Sequence, residues 1–191
     1  MRSLFLYPVL WAISTGILPG ALFTENADAQ EGPVKKILKY HDGPVNAICF
    51  HPSEQSILSA SSDKTIKIYN LNQEKVTETL PFNREVHAAA WTPDGRFIIA
   101  GAGTLLQVFT SNGELFKTYR GHTTAIWSLE PGPEGRYVVT GSYEKSFNLW
   151  DIIEGKLVHT FQGHEKSVLA VAFSTTGAYL SSGSLDQSVR I

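Results

Sequence analysis

Residues Gly121 to Gly163 read GHTTAIWSLEPGPEGRYVVTGSYEKSFNLWDIIEGKLVHTFQG. Four apolar runs of about six residues stand out: AIWSLE, RYVVTG, SFNLWD and KLVHTF. Turn formers separate them, namely the Pro131–Gly135 cluster, the polar Tyr143-Glu144-Lys145 and Glu154-Gly155. Short runs rich in Val, Leu, Phe, Tyr and Trp, each closed by Gly or Pro, predict an antiparallel strand meander. The pattern recurs outward in both directions. Val45, Val86, Ile126 and Val168 open equivalent runs at spacings of 41, 40 and 42 residues. Ala60, Gly101, Gly141 and Gly183 repeat at those same intervals. Two landmarks holding one period predict a repeat fold covering residues 34 to 191.

The stretch opens on Gly121-His122, and its third run ends on Trp150-Asp151. These features resemble the WD-repeat family, whose unit is a four-stranded blade of a β-propeller. The resemblance implies an all-β propeller domain over residues 30–191, with blades near 45–80, 86–119, 126–161 and 168–191. The last run stops at Ile191, one residue before the aromatic position held by Tyr69 and Trp150, so the chain is expected to be an incomplete propeller. Residues 33–40, PVKKILKY, precede His41 as KLVHTF precedes Gly163-His164 and match a fourth strand. In the family such a strand closes the last blade, which implies that role here.

The first strands are apolar on both faces and are therefore expected to be buried on both. Alternation puts Val45, Ala47 and Cys49 on one face and Ile48 and Phe50 on the other. The same pattern holds for Val86, Ala88 and Ala90 against Ala89 and Trp91, and for Val168, Ala170 and Ala172 against Val171 and Phe173.

Composition excludes several classes of function. A net charge of -2 offers no basic surface for nucleic acid or an anionic membrane. The single cysteine, Cys49, rules out an intrachain disulfide and a CxxC metal or haem motif. It sits in the apolar run AICF and is expected to be a small buried side chain. Residues 1–29 differ from the rest: Arg2, an uncharged run from Ser3 to Phe23, then Ala27-Asp28-Ala29. A basic start, an apolar middle and a small-x-small end predict a signal peptide cleaved after Ala29, hence export to a periplasmic or secreted location. The alternative is a membrane anchor formed by residues 3–23.

His41, Ser59 and Asp63, and likewise His164, Ser182 and Asp186, invite comparison with a catalytic triad. A triad occurs once per active site, whereas this set repeats with the fold's period, and no GxSxG elbow accompanies it. The family resemblance implies instead structural hydrogen-bonded tetrads. These are His41, Ser59, Asp63 and Tyr69 in the first unit and His122, Thr140, Glu144 and Trp150 in the third, with His164, Ser182 and Asp186 in the fourth. Glu144 replaces the usual Asp, and its extra methylene is expected to lengthen or break the bond. The second unit carries Phe82, Ala100 and Phe109, so its polar members are absent together. His41, His122 and His164 lie on separate units, which argues against a zinc site, and Asp94-Gly95 and Asn112-Gly113 read as turns. No metal and no cofactor are expected.

Two positions remain unexplained by core or tetrad. One follows the opening aliphatic: Asn46, His87, Trp127 and Leu169. The other precedes the acidic turn residue: Ser62, Tyr143 and Leu185. In the family these positions face the top opening and contact ligands, which implies a partner-binding patch of Trp127, Tyr143, Leu169, Leu185 and His87. For Trp127, packing between the third and fourth units is the alternative. The expected function is a non-catalytic, exported scaffold for a protein or peptide, able to self-associate if the propeller is open. The rival is an accessory propeller of a longer exported enzyme or redox protein.

Overall fold

A computed structural model describes residues 36–191. The signal peptide expected over residues 1–29 lies outside the described residues. Met1–Tyr40 and His41–Ile191 are separate units. Of the first unit, residues 36–40 form no strand, which corrects the fourth strand expected over 33–40 for the part described. An extended segment becomes a strand only by sharing a ladder with a partner edge.

The second unit is all-β. Its first sheet contains β1 (Val45–Phe50), β2 (Ser56–Ser61), β3 (Thr65–Asn70) and β4 (Lys75–Pro81). The next holds β5 (Val86–Trp91), β6 (Phe97–Ala102), β7 (Leu105–Thr110) and β8 (Leu115–Arg120). The third holds β9 (Ile126–Pro131), β10 (Tyr137–Ser142), β11 (Phe147–Asp151) and β12 (Lys156–Phe161). The last holds β13 (Val168–Phe173), β14 (Leu180–Ser184) and β15 (Val189–Arg190). Each sheet is an antiparallel meander in chain order. These are propeller blades. The turns use the expected residues: Gly95 and Gly113 lie at φ 71° and 80°, where a side chain would be strained.

Blades stack face to face in chain order, and each contact buries one apolar cluster. Leu58, Ala60, Ile66 and Ile68 of blade one meet Val86, Ala89, Trp91 and Ile98 of blade two. Ile99, Leu106 and Val108 of blade two meet Ile126 and Val138 of blade three. Val139 and Phe147 of blade three meet Val168 and Val171 of blade four. The recurring Gly or Ala of the second strand lies at these contacts. A Cβ on Gly101 would stand 2.7 Å from Ile126 Cγ2, and one on Gly141 would stand 3.0 Å from Val168 Cγ1. The small residue lets the next blade's opening aliphatic close in.

The faces of the first strands differ from simple alternation. A bulge at Asn46, His87 and Leu169 shifts the register of β1, β5 and β13. One extra residue turns the opening aliphatic to the opposite face. Val86 therefore packs with Ala89 and Trp91 towards blade one, while Ala47 and Cys49 lean the other way, onto blade two's cluster. Burial on both faces holds for β5 but not for the end blades. Val45, Ile48 and Phe50 are exposed, as are Leu169 and Ala170. A strand is covered only where a neighbouring blade lies over it, and among the described residues blade one and blade four do not cover each other.

Candidate functional site

The repeated polar sets are closed networks inside the blades. In blade three, Trp150 Nε1–H donates to Thr140 Oγ1 at 2.7 Å, and Thr140 Oγ1 lies 2.7 Å from His122 Nε2. His122 Nδ1 lies 2.5 Å from Glu144 Oε1. A neutral imidazole satisfies this chain: the Thr140 hydroxyl donates to Nε2, and Nδ1–H donates to the carboxylate. Burial holds the His122 pKa below its ordinary value, partly offset by Glu144. Burial alone would raise Glu144, but the Thr123 hydroxyl and amide, with His122, draw it down to about 2.

The expectation that Glu144 would lengthen or break the bond is thus overturned. Its longer side chain reaches both sides: Oε1 takes His122, and Oε2 takes the Thr123 amide and hydroxyl, each at 2.5 Å.

Blades one and four repeat the scheme with Asp. His41 lies 2.7 Å from Asp63 and 2.8 Å from Ser59. His164 lies 2.7 Å from Asp186 and 2.9 Å from Ser182. Both aspartates titrate below the ordinary carboxylate range. For Asp63, hydrogen bonds from Thr65, His41 and the Asp42 amide outweigh burial, which acts the other way. For Asp186, the Ser188 hydroxyl is the leading cause. These hydroxyls are members that the sequence reading missed. Thr65 and Ser188 each donate to the acid at 2.6 Å, and Ser146 does so at 3.0 Å. A signal was present: an acid, then Lys or Gln, then Ser or Thr, as in Asp63-Lys64-Thr65, Glu144-Lys145-Ser146 and Asp186-Gln187-Ser188. The middle residue lies at φ 68° to 71°, so the turn wraps the acid between two donors.

Blade two replaces the network with a packed pair, Phe82 edge-on to Phe109 with centroids 5.5 Å apart, beside the fully buried Ala100. No polar partner is stranded there. Elsewhere, burial raises the Cys49 thiol to about 11, although the Trp91 backbone opposes it, so little thiolate forms near neutrality. Among the described residues, no three His, Cys, Asp or Glu side chains gather as a metal site requires.

A different assembly forms where each first strand begins and its second and third strands turn. His87 of blade two stacks flat on Trp127 of blade three, with centroids 4.3 Å apart and planes 10° apart. Trp127 meets Tyr143 of its own blade edge-on at 4.8 Å. Tyr143 itself is 43% exposed. The backbone extends this end into blade four: Ser167 Oγ donates to the Tyr143 carbonyl, and the Leu185 amide donates to the Ser167 carbonyl. Leu169 and Leu185 are both exposed. Asn46 instead spans to blade two, donating to the Val86 carbonyl at 2.9 Å and to Ser62 Oγ at 3.0 Å. Trp127 thus stacks on blade two while touching Tyr143 of its own blade. Burial lowers the His87 pKa, against the pull of Glu85, which favours the neutral ring in the stack.

The repeat model "WD domain, G-beta repeat" matches residues 32–70, 113–151 and 155–191, more than half of the chain. The chain belongs to the WD40 repeat family. The WD40 segment that the repeat model leaves unmatched includes the second blade's first three strands, where the polar tetrad is absent. Among curated proteins, this WD40 chain is 28% identical over 165 residues to WD repeat-containing protein AAC3 of Dictyostelium discoideum, covering 60% of this chain and 34% of that protein. It is 27% identical over 136 residues to F-box-like/WD repeat-containing protein TBL1Y of Homo sapiens, covering 63% and 26%. It is 27% identical over 142 residues to Ribosome biogenesis protein YTM1 of Pyricularia oryzae, covering 70% and 29%. The chain therefore spans about a third or less of the length of these relatives.

Proposed function

We propose that this WD40 chain is a non-catalytic scaffold that binds a protein or peptide through its top end. The observation that carries the reading is the ladder His87–Trp127–Tyr143, which ends in an exposed aromatic at a tight turn. Turns normally carry Gly or small polar residues, and Tyr143 does little for this one. The stack beneath it limits the ring's freedom, so less entropy is lost on binding. Exposed Leu169 and Leu185 extend the apolar area on blade four. Aromatic anchors on a rigid support are what interface hot spots are made of. The tetrads are poor candidates for catalysis, since their donors and acceptors already satisfy one another inside three separate blades.

The ligand class that fits is a segment offering an apolar or aromatic side chain. A displayed peptide library panned on the chain tests this. Peptides retained by the wild type should bind Tyr143→Ala roughly 30-fold more weakly, the equivalent of a 2 kcal/mol hot spot. Equal binding at matched melting temperature would count against the patch.

We also propose that residues 1–29 act as a cleaved signal peptide, which would place the scaffold outside the cytosol; the support is the apolar run and Ala27-Asp28-Ala29. Intact-mass analysis after expression in an export-competent host should show a mature start at Gln30. Soluble product retaining Met1 would contradict it.

A further inference from the structure

Tyr143 stands in the turn between β10 and β11, and the residues on either side of it are tied to the loop 123–125 that leads into β9. Ser142 Oγ donates to the Ala125 carbonyl at 2.9 Å, and the Tyr143 amide donates to that same carbonyl at 3.3 Å. On the far side, Glu144 Oε2 accepts both the amide and the hydroxyl of Thr123, each at 2.5 Å, while Oε1 takes His122. The hydroxyl bond is peculiar to blade three. In blades one and four the corresponding loop residue is Asp42 or Glu165, whose amide reaches the acid at 3.0 Å. An ionised carboxylate side chain has no proton to add, and the acids there are the shorter Asp63 and Asp186. Two positions thus depart from the blade pattern together: a longer acid, and a loop residue whose side chain donates to it. They do so in the blade whose turn carries an exposed aromatic ring, where blades one and four have Ser62 and Leu185.

We propose that Glu144 and Thr123 are positioning residues for the partner-binding end: their bond clamps the 143–145 turn to the loop beneath it and so holds Tyr143 ready for the partner's apolar side chain. The inference rests on the top-end binding reading above. Trp127 restrains the ring itself, edge-on at 4.8 Å; the clamp restrains the backbone that carries the ring. Blade four adds a third tie, since Ser167 Oγ donates to the Tyr143 carbonyl at 3.3 Å. A hydrogen bond to an ionised carboxylate is about twice as strong as a neutral one. A turn held in this way spares binding the entropy of ordering its side chain.

Titration calorimetry of the whole chain with peptides retained by the wild type from the displayed library tests the clamp. Thr123→Val deletes the hydroxyl at nearly constant shape and keeps the amide bond; Thr123 is exposed, so no interior contact is disturbed. If that variant unfolds, Thr123→Ala replaces it. Thr123→Val should weaken binding about 2- to 12-fold, the range set by ordering one side chain at an interface. Thr123→Ser keeps the donor and should bind as the wild type does. In a Tyr143→Ala background, Thr123→Val should change nothing further, because the clamp acts through that ring. Thr65→Val removes a hydroxyl that donates to the blade-one acid at 2.6 Å; it should lower the melting temperature and leave affinity unchanged. Wild-type affinity in Thr123→Val, no rescue by Thr123→Ser, an equal loss in Thr65→Val, or an effect that persists without Tyr143 overturns the clamp and leaves the binding end standing. A library that yields no peptide, or peptides that bind Tyr143→Ala as tightly as the wild type, overturns the binding end and the clamp with it.

Discussion

Thr140→Val isolates the value of the blade-three network, because it changes a hydroxyl to a methyl at nearly constant shape. Thr140 is fully buried. Its hydroxyl accepts from Trp150 Nε1–H and donates to His122 Nε2, each at 2.7 Å. Removing it strands a donor on Trp150, a residue 1% exposed, and an acceptor on His122, whose side chain is 0% exposed. Water reaches neither easily. An orphaned buried polar group costs about 1–3 kcal/mol, so two should cost about 2–6 kcal/mol together. In a Trp150→Phe background the indole donor is already gone, and Thr140→Val should then cost only about 1–3 kcal/mol. Equilibrium urea unfolding of the four proteins, followed by circular dichroism, measures both arms of the cycle. A Thr140→Val cost under about 0.5 kcal/mol, the scale of ordinary surface changes, would refute the reasoning. So would a cost that is unchanged in the Trp150→Phe background, because the two groups would then not be coupled.

Acidification should destabilise the chain in two stages. His122 has a folded pKa below its ordinary 6.5, so its contribution is complete above that value and declines as pH falls below it. Glu144, held at about 2 against an ordinary 4.5, keeps its contribution above 4.5 and loses it as pH falls towards 2. Melting temperature should thus fall from pH 6.5 downward. Glu144→Gln should flatten the curve below pH 4.5 without abolishing the slope, because Asp63 and Asp186 shift in the same direction; an unchanged curve would contradict the assignment. Gly141→Ala should destabilise by about 1–3 kcal/mol through overpacking, since the new Cβ would meet Ser128 Oγ at 2.8 Å and Val168 Cγ1 at 3.0 Å. Gly183→Ala, whose new Cβ would meet nothing nearer than Ala170 Cβ at 3.7 Å, is the matched control for thermal unfolding.

Strand order and the His–hydroxyl–acid sets of blades one, three and four were legible in the sequence because each depends on local chemistry repeated at a fixed interval. Apolar runs of six residues and their Gly- or Pro-rich turns define β9 to β12 without any knowledge of neighbours. The concerted loss in blade two was equally readable, because Phe82, Ala100 and Phe109 replace three polar groups at once. The hydroxyl two residues after each acid was missed, although Thr65, Ser146 and Ser188 follow their acids at constant spacing. The fate of Glu144 was not readable. Whether a longer carboxylate breaks a bond or gains a second partner depends on where Thr123 places its donors in space.

By itself the sequence determined the repeat, the strands and the polar sets, all properties of a chain with its nearest ladder. Only tertiary structure decided what lies across the blades. The bulge at Asn46, His87 and Leu169 reverses the facing of each opening aliphatic, and a one-residue shift of register leaves no mark on composition. The stacking of His87 on Trp127 joins two repeats, so neither repeat read alone contains it. Val45 and Val86 are the same residue at the same position of their blades, yet one is 44% exposed and the other fully buried. Burial is a property of what lies opposite, and the residue itself does not encode its neighbour.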